Sequence, residues 1–172
     1  LEAARVGAEV KRLRGKRSGQ WLSERTAEIG HGLSRTLISE LERGDRSYLS
    51  TTELTVLAKA LNVAPVALLF PGPYDEDIEI TPGARMSRIA AVEWFAGNTD
   101  PMSADYDTEF RRNMLDLMRA RQIRELERSR RNLGEQLRIV DDAVPSSVRE
   151  TLAEEYTRIS NVLEELRIGY GG

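Results

Sequence analysis

Cysteine is missing altogether from this 172-residue chain, and histidine occurs once. Without a thiol there is no disulfide framework, no thiolate zinc site and no cysteine nucleophile. Long hydrophobic runs are missing too. The longest, Val66 to Phe70, falls far below the roughly 20 apolar residues a helix needs to cross a bilayer, so no membrane partner is expected. The first residues do not follow the charged, apolar, small-residue order of a signal peptide, and a cytoplasmic setting is the expectation. What is present is a globular balance: 40% hydrophobic residues and a mean hydropathy of −0.44, in a chain long enough for one domain or two small ones.

A formal charge of −3 hides an asymmetry. Up to Pro73 there are eleven basic and eight acidic residues; beyond it there are fourteen and twenty. Lys11, Arg12, Arg14, Lys16 and Arg17 cluster within seven positions. Such a cluster can neutralise phosphates, or it is simply a solvated helix face. The pI of about 5.4 argues against a protein that coats nucleic acid indiscriminately.

Residues 1–72 predict five short helices. Val6, Val10 and Leu13 recur at helical spacing over 5–14, and Gly15 ends that helix. Ser18 is placed to cap a second helix with Trp21, Leu22, Arg25 and Ile29, stopped by the turn Gly30-His31-Gly32. Ser34 then caps a third over Arg35 to Arg43, with Leu33 and Ile38 as a hydrophobic staple and Gly44 as its stop. Leu37, Ile38 and Leu41 share one side of it; Arg35, Thr36, Ser39, Glu40 and Arg43 point elsewhere. Ser50-Thr51-Thr52-Glu53 is a capping box for a fourth helix burying Leu54, Leu57, Ala58 and Leu61. Pro65 starts a fifth, and Pro71 stops it.

The runs Val10-Lys11-Arg12-Leu13-Arg14, Leu33 to Gly44 and Leu57-Ala58-Lys59-Ala60-Leu61-Asn62-Val63 resemble the lambda-repressor-like, or Xre, family of DNA-binding domains. The turn Ile29 to Leu33 is longer than in lambdoid phage repressors and is similar to that of actinobacterial-looking members. The resemblance implies a helix-turn-helix domain whose third helix enters the major groove. Ser34, Arg35, Thr36 and Ser39 are then the base-reading candidates, with Arg35 suited to a bidentate guanine contact. Lys16, Arg17, Ser18 and Gln20, at the start of the second helix, and Arg43 and Arg46 on the other flank, are the phosphate-binding candidates. Where many members carry a glutamine directly after the second helix's cap, this chain has Gly19, followed by Gln20. The resemblance also implies a structural ion pair between Arg14 and Glu42. His31 reads as a polar turn residue.

Residues 73–103 read as a linker carrying a short docking helix. Pro71-Gly72-Pro73 and Tyr74 to Asp77 mark a boundary, Ile78 and Ile80 alternate around Glu79 as a short extended segment ending at Pro82-Gly83, and 86–96 predicts a helix docked by Trp94 and Phe95. A loop over Gly97 to Pro101 follows. Residues 104–172 predict an antiparallel helical hairpin. Its first helix carries Phe110, Met114, Leu117, Ile123, Leu126, Leu133, Leu137 and Val140. A turn at Asp141 to Pro145 leads to a capping box at Ser147 to Glu150, and the second helix places Val148, Leu152, Tyr156, Ile159, Leu163 and Leu166 on one seam. Such a hairpin encloses its own seam poorly and needs either the N-terminal domain or a second copy to cover it, and a homodimer through it is the expectation. Glu125 and Glu127, interleaved with Arg119, Arg121, Arg124, Arg128, Arg130 and Arg131, predict ion pairs along the helix surface rather than a further DNA contact.

No Walker loop or metal-ligating cluster exists, and Asp141-Asp142 beside a proline reads as turn chemistry. The expectation is therefore an all-α protein that is not an enzyme and needs neither cofactor nor metal. The resemblance leads to the expectation of a sequence-specific double-stranded-DNA-binding transcriptional regulator, a dimeric repressor located in the cytoplasm on the nucleoid. The alternative is an antitoxin-like or adaptor protein whose C-terminal hairpin holds a protein partner.

Overall fold

A computed structural model describes residues 2–98, 108–139 and 145–168. The described residues are mostly helical, with eight helices and one two-stranded antiparallel sheet. None of these helices is long and apolar enough to cross a membrane. The chain divides into two compact units, Leu1–Met102 and Ser103–Gly172.

In the first unit α1 (Glu2–Arg14), α2 (Gly19–Glu28), α3 (Arg35–Arg43), α4 (Thr51–Leu61) and α5 (Pro65–Leu69) surround one apolar core. Ala3, Val6 and Val10 of α1, Leu22 of α2, Ile38 and Leu41 of α3, Leu57, Ala58 and Leu61 of α4 and Leu68 and Leu69 of α5 are buried in it. The local signals act where their chemistry requires. The hydroxyls of Ser18, Ser34 and Ser50 accept the amides of Trp21, Leu37 and Glu53, and the Glu53 carboxylate returns to the Ser50 amide as a full capping box. Gly44, at φ +78°, ends α3 in the left-handed region that glycine enters without a Cβ penalty.

Residues 73–98 are not a bare linker. β1 (Asp77–Thr81) pairs antiparallel with β2 (Ala84–Ser87) around Pro82-Gly83, and α6 (Arg88–Phe95) follows directly, capped by Ser87. Ile78, Met86 and Ala91 bury their side chains in the same core as α1–α5. The expected anchors behave differently. Trp94 is half-buried and Phe95 is 55% exposed, meeting Phe70 edge-to-face at 5.7 Å. Small Ala91 lets α6 approach closely, so the buried contact belongs to it rather than to the two rings. Of the expected loop at Gly97 to Pro101, residues 99–101 lie outside the described residues.

The second unit is a helical pair. α7 (Thr108–Ile139) has 32 residues, about 48 Å, and α8 (Ser146–Ile168) has 23, about 35 Å. Glu127 with Arg167, and Gly134, where a Cβ would lie 3.5 Å from the Tyr156 ring, set an antiparallel register. Ile159 and Leu163 are buried, and Ile123, Leu126, Leu133 and Leu137 form the half-buried row of α7. α8 begins at Ser146, two residues before the Val148 start that a cap at Ser147 would give. Ser147 lies inside the first turn, where its carbonyl accepts the Thr151 hydroxyl, and the Val148 amide bonds the Pro145 carbonyl. Val140 and the expected turn residues Asp141 to Val144 lie outside the described residues.

Candidate nucleic-acid interface

Helix α3 has two unlike sides. Ile38 and Leu41 are buried and Leu37 is half-buried; Arg35, Thr36 and Arg43 are exposed and Ser39 is half-exposed. Arg35, Thr36, Ser39 and Arg43 line one shallow, open concavity on the polar side. The candidate base readers are therefore brought together, with Ser34 engaged just before them as the helix cap.

The entry to α3 is tied down by α2. The Leu33 amide donates to Thr26 Oγ1 at 2.9 Å, the Leu33 carbonyl accepts from Ser23 Oγ at 2.7 Å, and Thr26 Oγ1 donates to the Ser23 carbonyl at 2.8 Å. Thr26 is fully buried, and its hydroxyl serves as donor and acceptor at once. The long glycine turn therefore ends on a fixed point. His31 is exposed within it.

Helix α1 holds the other end. A Cβ on Gly7 would lie 1.9 Å from the Leu41 carbonyl oxygen, so the two backbones cross at a distance only glycine permits. Further along, Arg14 grips Glu42 in a two-pronged pair, Nε to Oε1 and Nη2 to Oε2, each at 2.6 Å. Both side chains are largely buried, and the bond to Glu42 raises the Arg14 pKa against the opposing effect of burial. Arg14 faces α3 rather than solvent, as the Arg14–Glu42 expectation required.

The basic cluster disperses into distinct roles. Arg12 pairs with Glu9, and Arg17 donates to the Leu13 and Arg14 carbonyls while lying over the Trp21 ring at 4.0 Å. Arg17 thus closes the C-terminus of α1, where carbonyls lack helical partners. Lys11 and Lys16 are exposed and carry no ion pair among the described residues. Gln20 donates to Glu24, and Gly19 lies beside Arg35, since a Cβ there would be 3.8 Å from Arg35 Cγ. On the other flank Arg43 bridges Ser39 Oγ at 2.6 Å and Asp45 at 2.7 Å. Arg46 is drawn inward to Glu53 at 3.0 Å and over the Tyr48 ring. Burial opposes ionisation of Glu53, but the Ser50 amide and Arg46 outweigh it and hold its pKa below the ordinary value.

No family model, curated protein or solved structure matches this chain. The geometry stands on its own residues. Of the ten candidates, Arg35, Thr36 and Lys16 are exposed without a described hydrogen bond or ion pair. Ser34 and Ser18 are engaged as caps, Ser39 and Arg43 with one another, Gln20 with Glu24, and Arg17 and Arg46 in local structure. Gly7, Ser23 and Thr26 hold α3 in place without having been legible as candidates. Gly7 lies in mid-helix, where glycine ordinarily costs stability; that unfavourable position was its only sequence signal.

Proposed function

We propose that this chain is a sequence-specific double-stranded-DNA-binding transcriptional regulator of the lambda-repressor-like, or Xre, kind. The observation that carries the reading is the polar side of α3: Arg35 and Thr36 stand exposed beside Ser39 and Arg43 on a helix anchored from two directions. A helix with a buried back and a hydrogen-bonding front fits the major groove, where base edges offer donors and acceptors. Arg35 reads guanine, Thr36 and Ser39 supply hydroxyls, and Lys16 with the free amides at the start of α2 meets backbone phosphate. Arg43, steadied by Ser39 and Asp45, meets the second strand's phosphates.

One reading helix spans only a few base pairs, so a two-fold dimer supplies the second half-site. Leu115, Leu117 and Met118 support pairing through α7. They are large apolar side chains left exposed on the early turns of α7. Promoter occlusion by the bound dimer makes the protein a repressor.

Selection of bound sequences from a random duplex pool tests the reading. The expected result is an enriched, two-fold symmetric site. Arg35→Ala is expected to lower affinity for that site by about 1–3 kcal/mol while leaving random-sequence binding and folding unchanged. An unaltered preference in the variant removes Arg35 as a reader, and a pool without enrichment removes the function.

A further inference from the structure

We propose that the outer side of α7 is a second phosphate-binding surface, seating the sugar-phosphate backbone of duplex DNA along Arg124, Arg128 and Arg131. These arginines follow one another at steps of four and three and are exposed, on the side of α7 away from the half-buried row Ile123, Leu126, Leu133 and Leu137. With Arg121 and Glu125 they line one shallow concavity. Of the interleaved glutamates expected to pair along this helix, Glu125 lies in the same concavity without a described ion pair to Arg124, Arg128 or Arg131. Glu127 is turned across the hairpin to Arg167, and Arg124, Arg128 and Arg131 have no ion pair among the described residues.

The uneven distribution of charge between the two helices, not its sum, favours nucleic acid over a second copy or an acidic protein. α7 carries nine arginines against five acidic residues and no lysine, whereas α8 carries five acidic residues against three arginines. Exposed Glu150, Glu154 and Glu164 lie on the side of α8 away from buried Ile159 and Leu163. A hairpin with a basic front and an acidic back meets a polyanion in one orientation only. If the acidic back of one copy met the basic front of another, the contact would be heterologous and would propagate into a filament instead of closing. Guanidinium forks suit phosphate oxygens in pairs, and the row extends about 10 Å along the helix, enough to follow successive phosphates. This inference rests on the DNA-binding reading for the identity of its polyanion.

The test uses the full chain with Arg124, Arg128 and Arg131 all changed to Gln, and a control with all three changed to Lys. Affinity for a long mixed-sequence duplex is measured against salt concentration. The Gln variant is expected to bind more weakly, with the slope of log K against log salt reduced by about 2 to 3. The Lys variant keeps the slope. Helical content by circular dichroism is unchanged in both, since the three side chains are exposed. An unaltered slope in the Gln variant overturns the proposal, and so does a Gln variant whose sedimentation mass falls while its DNA binding stays the same, because the row then seats a second copy. Failure of the α3 reading looks different: Arg35→Ala leaves sequence preference intact while the Gln variant still loses salt-sensitive binding.

Discussion

At position 7 even a methyl group would overlap the Leu41 carbonyl, so Gly7→Ala must separate α1 from α3. Because the obstacle is backbone and not the flexible end of a side chain, relief requires moving α3. The expected cost is about 3 kcal/mol, measured as a lower urea midpoint at unchanged m-value, together with weakened operator binding; a variant as stable as the parent would refute the close crossing. Glu53 supplies a pH signature. Its folded pKa lies below its unfolded value, held there by Ser50 and Arg46 against burial. The stability it contributes is therefore complete above the ordinary glutamate range, near about 4.3, and is lost as pH falls through the lower folded value. Glu53→Gln should be less stable at neutral pH, and the difference from the parent should shrink on acidification. A difference independent of pH would refute the linkage.

Among the elements, α3 is held more by its neighbours than by its own sequence. It has nine residues, and isolated helices of that length are marginal in water. The buried Thr26 hydroxyl ties its entry to α2, so Thr26→Val leaves the Leu33 amide buried and unpaired. A loss of about 1–3 kcal/mol is expected, with faster amide exchange at Leu33 and Leu37 as the local readout; unchanged exchange there would show that the turn closes without Thr26. The same scale explains which signals were legible. Serine caps and glycine stops depend on residues within one turn of each other, so α2, α3 and α4 could be read from local sequence. Within the expected linker the short extended segment at Ile78 to Ile80 and the docking helix were legible, but β2 and the pairing were not, because four- and five-residue strands carry little periodicity. The burial of β1, β2 and α6 depends on Ile78, Met86 and Ala91 meeting a surface formed by residues far away in sequence.

For the whole molecule the proposed assembly depends on α7. It outreaches α8 by about 13 Å in length, and its early turns expose Leu115, Leu117 and Met118. Changing all three to Gln is expected to convert a dimer to a monomer in sedimentation equilibrium, with helical content preserved and operator binding reduced through loss of the second half-site. A parent protein that sediments as a monomer at concentrations where it binds DNA would refute the two-fold reading.

The linear chain by itself determined what depends on neighbours a few residues apart: five helices before Pro71, their caps, a helical pair at the end and a polar side on α3. Only the tertiary structure decided the fate of each charge. In sequence, Arg12, Arg14, Lys16 and Arg17 form one basic cluster. In three dimensions Arg12 and Arg14 are paired, Arg17 closes a helix, and Lys16 is left to solvent. Arginine is long enough to choose among partners 28 positions away, as Arg14 does with Glu42, and that choice is settled by which backbones the core brings together.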